Sequence, residues 1–278
     1  MSGDAEREHP LPEPPGATGP TAQAGLLSLA SDVARHAGAL LLERFDGGGE
    51  RALGSKSSPT DLVSEADLAS ERTIRELLAQ ARPDDGFLGE EGGGEDGSSG
   101  LTWVVDPLDG TVNFLFGIPQ WCVSVAVQDD RRRTLAGVIF DPCRDETWVA
   151  TQAGAATLNG ATIKGSKRSE LSTAMVSTGF YYDAAVRAEQ AKLCERLLPR
   201  VRDIRRFGSA ALDLAWTAAG RYDCYFERGI QLWDVAAGML ICERAGLTIA
   251  ELPASERLPL GVLAAVPALA DALFELVA

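Results

Sequence analysis

The 278-residue chain is 45% hydrophobic and 24% charged, the balance of a globular protein rather than a disordered or fibrous one. Its formal net charge of −14 argues against a nucleic-acid or membrane-surface partner, because phosphate-rich surfaces are met by Lys and Arg. With only two histidines, His9 and His36, and five scattered cysteines, His-based triads, zinc centres and redox pairs are disfavoured, so that acid–base and metal chemistry falls to carboxylates, which select hard cations.

Residues 1–20 hold five of the fourteen prolines and read as a disordered tail. They lack the basic-then-apolar order of a signal peptide. The uncharged run 258–270 contains Pro259 and Pro267 and is too short to span a bilayer. These features, with unpaired thiols, predict a cytoplasmic protein. A first helix is predicted from Leu26, Leu29, Ala30, Val33, Ala37, Leu40 and Leu41, stopped by Gly47 to Gly49. A second starts near Ser64, with Ser64 and Asp67 as caps, and ends before Pro83. Its expected apolar face is Ala66, Ala69, Thr73, Leu77 and Ala81. The Gly-rich acidic stretch 92–100 reads as a mobile loop.

The period then changes to that of strands. Trp103 to Val105 is one strand. Trp121, Val123, Val125 and Val127 alternate, as do parts of 135–140 and 147–151. Residues 141–145 read as a hairpin loop, and Asn159-Gly160 is a hairpin turn signal. Strands and helices alternate in the second half. Strands are predicted at 175–178, 204–207, 222–226, 247–249 and 262–265. Helices are predicted at 184–198, 209–219, 234–245 and from Pro267. The fold class is therefore α/β, a layered sandwich. Helices are expected on an antiparallel sheet in 21–165, followed by a mixed α/β subdomain in 166–278.

The most informative segment is Asp106-Pro107-Leu108-Asp109-Gly110-Thr111. Pro107 forces a turn after the strand, and a helix beginning after Asp109 offers free amides. Two carboxylates beside a helix N-terminus pair a cation site with an anion site, as a metal-bridged phosphate requires. Glu90 and Glu91, Asp61 and Asp67, and Asp234 join them. Two charges about 4 Å apart at an effective dielectric of about 20 repel by about 4 kcal/mol, so such a cluster forms around cations.

Four blocks together resemble the inositol monophosphatase family of magnesium-dependent phosphatases: Lys56 to Ser64 with Asp67; Gly89-Glu90-Glu91; Trp103 to Phe114; and Trp233 to Gly238. The likeness extends to Gly208-Ser209-Ala210-Ala211 and Tyr225-Phe226-Glu227 and covers about residues 24–278. The resemblance implies a sugar-phosphatase type of fold and Mg2+ as cofactor. It implies metal ligation by Glu90, Asp106, Asp109, Asp234 and the carbonyl of Leu108. Glu90 and Thr111, with Asp67 behind the threonine, match the group that activates the attacking water. Gly110 and Thr111 amides match the phosphate-binding turn. Gly208, Ser209, Ala210, Glu227 and Asp234, with Arg205 at the edge, match the pocket for substrate hydroxyls, and Lys56 matches a lysine near the phosphate. A homodimer, lithium inhibition and a small phosphorylated polyol as substrate, myo-inositol monophosphate foremost, are implied as well. Fructose bisphosphate, histidinol phosphate and a nucleotide 3′-phosphate are the alternative substrates. A regulatory role in RNA processing, known in some bacterial relatives, is the alternative of another class.

Competing motifs fail on spacing or context. An aspartyl-phosphate mechanism needs Asp-x-Asp, whereas Asp106 and Asp109 are one residue further apart with a proline between. The glycines of 92–97 lack the strand and helix of a dinucleotide site. Ser166 precedes Lys167, the reverse of a phosphate loop. Arg131-Arg132-Arg133 reads as a solvated hairpin tip.

Overall fold

The computed structural model describes residues 19–47, 53–55 and 62–278. Residues 1–18 of the expected tail, with Lys56 and Asp61, lie outside them. The helices are α1 (Pro20–Asp46), α2 (Glu65–Ala81), α3 (Thr111–Leu115), α4 (Ala184–Leu197), α5 (Ala210–Ala218), α6 (Leu232–Arg244) and α7 (Pro267–Val277). The first strands are β1 (Leu53–Ser55), β2 (Leu62–Ser64), β3 (Gly86–Gly89), β4 (Gly93–Glu95), β5 (Leu101–Asp109), β6 (Cys122–Asp129), β7 (Thr134–Asp141) and β8 (Glu146–Thr151). The rest are β9 (Thr157–Leu158), β10 (Ala161–Thr162), β11 (Met175–Thr178), β12 (Asp203–Arg205), β13 (Cys224–Arg228), β14 (Thr248–Leu252) and β15 (Gly261–Ala265).

Two large sheets organise the chain. The eight-stranded one runs β10-β9-β8-β7-β6-β5-β3-β4, and the five-stranded one β12-β11-β13-β15-β14. The first is antiparallel except where β3 lies parallel to β5, which corrects the expectation of a wholly antiparallel sheet. The chain hairpins from β3 into β4 at the edge and returns on the far side of β3. The second sheet is mixed: β11 is parallel to β12 and β13, and β15 is antiparallel to β13 and β14.

Three apolar clusters stack these elements into five layers. α1 and α2 cover one face of the large sheet, α5 and α6 fill the space between the sheets, and α4 and α7 cover the outer face of the small sheet. This is the layered α/β sandwich expected. β6 shows why the layers fit. Trp121 and the valines 123, 125 and 127 face α1, while the smaller Cys122 and Ala126 face α6, so both faces are buried.

Local differences have local causes. Pro20 stands at the first position of α1, inside the stretch assigned to the tail, because its fixed φ suits a helix start. Residues 93–95 form edge strand β4 rather than a loop. On α2 the buried apolar residues are Ala66, Ala69, Ile74 and Leu78, rotated from the expected face because Asp67, Ser70 and Glu71 are buried too. The Asn159-Gly160 turn is present, both residues having positive φ. All five cysteines are unpaired. No helix among the described residues is long and apolar enough to cross a membrane.

Strand alternation on β13 sends consecutive charged residues to different places. Glu227 lines a cavity, whereas Arg228 is 1% exposed. The Arg228 guanidinium donates to the carbonyls of Val277, Pro253 and Pro259 at 2.8–3.2 Å, tying the end of α7 to the loop before β15. Arg228→Leu leaves those acceptors unsatisfied at about 1–3 kcal/mol each. We expect a melting temperature lower by roughly 6 °C or more; an unchanged melting curve would show that water replaces the guanidinium without cost.

Candidate active site

β5 runs to Asp109, and Gly110, at φ +97°, turns the chain into the five-residue α3. Within the turn, Asp106 Oδ1 accepts the Leu108 amide at 3.0 Å. The turn is clamped from below by α2, whose residues 67, 70 and 71 share one buried side. Ser70 donates to the Pro107 carbonyl at 2.8 Å. Asp67 Oδ1 accepts the Thr111 hydroxyl at 2.8 Å. Glu71 Oε2 accepts the Glu91 amide at 2.8 Å, fixing the loop that carries Glu90. Gly89 has no side chain because a Cβ there would stand 2.5 Å from the Glu71 carboxylate.

One oxygen from each of Glu90, Asp106 and Asp234 lies within 4.8 Å of the others. Asp234 sits in the first turn of α6 and accepts the Gln231 amide at 2.8 Å in a reciprocal capping box. Asp109 is not part of this trio. Its Oδ2 accepts the Ser209 hydroxyl at 2.6 Å and the Ala211 amide at 2.7 Å, and its Oδ1 the Ala210 amide at 3.3 Å. The N-terminus of α5 therefore holds it, and Oδ1 keeps lone-pair capacity.

These groups line a cavity of about 460 Å3. Of the residues expected in the site, Glu90, Asp106, Leu108, Asp109, Gly110, Thr111, Gly208, Ala210, Glu227 and Asp234 border it. Asp67 and Ser209 are buried behind it. Arg205 does not border it and is engaged with Asp203 and the Ile204 carbonyl; its neighbour Arg206 does. Sequence reasoning also missed Ser70, Glu71 and Asn113. The Asn113 amide donates to the carbonyls of Gln120 and Phe207 at 2.7 Å, which joins α3 to the loop before α5. The signal for Ser70 and Glu71 was present as polar residues three and four positions after Asp67.

The electrostatics are those of crowded acids. Burial, then repulsion from Glu90, Asp109 and Asp234, raises the Asp106 carboxyl well above its usual range. Burial and the charges of Asp109 and Glu90 do the same for Asp234. Burial lifts Asp109 to about 6 against its hydrogen bonds from Ser209 and Ala211. It lifts Glu227 to about 7 although Tyr225 donates to the carboxylate at 3.0 Å. Gly179 makes room for Glu227, since a Cβ there would overlap its carboxylate.

The model of the inositol monophosphatase family matches residues 23–277. The chain is 44% identical over 237 residues to an inositol-1-monophosphatase of Mycobacterium bovis, covering 82% of this chain and 81% of that one. It is 47% identical over 192 residues to a protein of Xylella fastidiosa named Nus factor SuhB, covering 69% of each. The crystal structure of extragenic suppressor protein suhB from Bartonella henselae matches with a TM-score of 0.85 at 32% identity, over 91% of this chain and 98% of that one.

Because folding raises these carboxyl pKa values, the folded chain binds more protons than the unfolded one between the two sets of values. Stability of the metal-free protein is then present at low pH and lost as pH rises through the folded values, between 3.8 and about 6 for Asp109 and between 4.5 and about 7 for Glu227. The melting temperature of chelator-treated protein should fall by several degrees from about pH 5 to about pH 8, and Asp106→Asn should recover on the order of a few kcal/mol, the size of one close like-charge repulsion. A flat profile, or a destabilised Asp106→Asn protein, would contradict a repulsive cluster.

Proposed function

Because this chain belongs to the inositol monophosphatase family, we propose that it hydrolyses a small phosphomonoester in this cavity, with myo-inositol monophosphate the expected substrate. The observation that carries the reading is the convergence of Glu90, Asp106 and Asp234 beside the turn that begins α3. Their donor set is oxygen alone, which fits a hard divalent cation such as Mg2+. Glu90, Asp106 and Asp234 would hold it, with Asp109 Oδ1 and the Leu108 carbonyl bordering the same space. When bound, it supplies positive charge to the phosphoryl oxygens, lowers the pKa of water and stabilises the leaving oxygen.

The protein's own groups do the positioning. The Thr111 hydroxyl lies 2.8 Å from Asp67 and 3.1 Å from the Leu108 carbonyl. With its proton on the shorter bond to Asp67, it turns a lone pair to the cavity and accepts a hydrogen bond from the attacking water. Glu90 receives the water's proton as attack proceeds in line with the leaving oxygen. The Gly110 and Thr111 amides meet phosphate oxygens. Ser209 and the amides of Ala210 and Ala211 keep Asp109 in place. Glu227, with Gly208 and Ala210 nearby, receives the polyol, its carboxylate accepting hydrogen bonds from substrate hydroxyls. Lithium inhibition and a homodimer belong to the same proposal.

A regulatory role is the second reading, supported by relatives of Xylella fastidiosa and Pasteurella multocida named Nus factor SuhB. An Asp106→Asn protein that recovers RNA-polymerase partners from lysate would favour it. Failure to recover them, with turnover present in the unaltered chain, would favour the enzyme.

Chelation should abolish turnover of inositol monophosphate and magnesium should restore it; full activity in metal-free buffer would exclude the reading. A charged acceptor for a substrate hydroxyl contributes about 1.5–3 kcal/mol. Glu227→Gln should therefore lower kcat/KM on inositol monophosphate by about ten- to a hundredfold and spare an aryl phosphate. Equal losses on the two substrates would assign Glu227 to the fold or the metal instead.

A further inference from the structure

Of the three acids that converge, Glu90 has the least rigid support. Asp106 lies on β5 and Asp234 in the first turn of α6. Glu90 stands in the turn of the β3–β4 hairpin, between Gly89 and Gly93. β4 is a three-residue strand at the edge of the sheet and is exposed throughout, so apolar packing does not hold that side of the hairpin. A single guanidinium spans it instead. Arg75 lies one helical turn after Glu71 on α2. Its Nη1 donates to Glu95 Oε1 on β4 at 2.7 Å, and its Nη2 to Glu71 Oε1 at 3.3 Å. Its guanidinium carbon stands 4.1 Å from the centre of the Phe87 ring on β3, within cation–π distance. Arg75 thus joins α2 to both strands of the hairpin, while Glu71 Oε2 accepts the Glu91 amide in the turn.

The turn is shaped around this pair. A Cβ on Gly92 would stand 2.5 Å from Glu71 Oε1 and 2.7 Å from Arg75 Nη2, and one on Gly89 2.5 Å from Glu71 Oε2. The residues on either side of Glu90-Glu91 therefore lack side chains where the ion pair sits. Glu71 is 5% exposed, and Arg75 is a cation paired with it. Removing one partner of a buried ion pair leaves the other charge uncompensated. The Glu71 carboxylate would then turn towards water and loosen its hold on the Glu91 amide. We propose that Arg75 is a positioning residue for Glu90: through Glu71, Glu95 and Phe87 it sets the hairpin turn so that the Glu90 carboxylate meets a divalent cation together with Asp106 and Asp234. The inference rests on the cation site of the phosphatase reading and adds to it a residue that does not border the cavity.

The test is Mn2+ affinity, read from the electron paramagnetic resonance signal of the free ion, in the unaltered protein, Arg75→Gln and Arg75→Lys. The Arg75 side chain is 25% exposed on the helix surface, so both variants are expected to fold, and their melting curves check this. Arg75→Gln should weaken Mn2+ binding by about ten- to a hundredfold, the range for losing a group that orients a metal ligand. Arg75→Lys keeps the charge but not the fork that reaches two carboxylates, and should recover part of the loss. Turnover of inositol monophosphate by Arg75→Gln should fall at low magnesium and return to within about twofold of the unaltered kcat at saturating magnesium. Loss of a nearby positive charge would by its field alone draw a cation more tightly. Unchanged or tighter Mn2+ binding in Arg75→Gln would therefore overturn the positioning role, as would a kcat deficit that saturating magnesium does not restore. If Mn2+ binds but no phosphomonoester is turned over, the phosphatase reading fails and the affinity difference still decides the role of Arg75. If the unaltered protein binds no Mn2+, this inference falls with the cation site.

Discussion

Like charges are forced together in a nearly dry place, and the surrounding structure answers to that constraint. Asp106 and Asp109 are at most 9% exposed, and Glu90 and Asp234 stand beside them. At about 4 kcal/mol for one close pair in a partly screened interior, unsupported loops would splay apart. They are kept in place by hydrogen bonds that do not neutralise them. α2 reaches under the site with Asp67, Ser70 and Glu71 and holds both the turn from Asp106 to Thr111 and the loop that carries Glu90, while the first amides of α5 and the Ser209 hydroxyl hold Asp109. In the proposed function, a cation and a phosphate would replace this repulsion by attraction, so that binding energy would be realised at the reacting centre.

The layers explain how elements distant in sequence arrive at one cavity. α6 sits between the two sheets and brings Asp234 to the end of β5 that carries Asp106. β13 belongs to the smaller sheet, yet its Glu227 faces the same cavity while Arg228 anchors α7 on the other side. Asn113 ties the short α3 to the loop before α5, so the turn at Gly110 and the Gly208 side of the cavity are mechanically joined. α5 and α6, from the second half of the chain, also complete the core of the first sheet.

Much of this was legible in the sequence because side-chain pattern and turn chemistry decide it. The Asp-Pro-Leu-Asp-Gly turn, the alternation on β6 and the Asn-Gly hairpin each follow from local sterics. Where reading failed, the deciding interactions were not in the apolar pattern. β4 is built from backbone pairing of Gly-rich sequence, so alternation was silent. The buried side of α2 is set partly by Asp67, Ser70 and Glu71, whose partners are loop groups 20 to 44 residues away, so counting apolar residues alone placed the face wrongly. Arg206 rather than Arg205 reaches the cavity because β12 has only three residues and the chain then bends through the positive φ of Gly208. Single-residue phase in so short an element depends on packing that the sequence does not display.

The central claim is that burial and mutual repulsion raise the carboxyls of Asp106, Asp109 and Asp234, so that a cation bound among them displaces protons. Calorimetric titration of the metal-free protein with magnesium, at about pH 6 in buffers of different ionisation enthalpy, measures this directly through the protons released on binding. The account predicts saturable binding with net proton release that diminishes toward about pH 8 and is reduced in Asp106→Asn. Binding without proton release, or no binding at all, would contradict it.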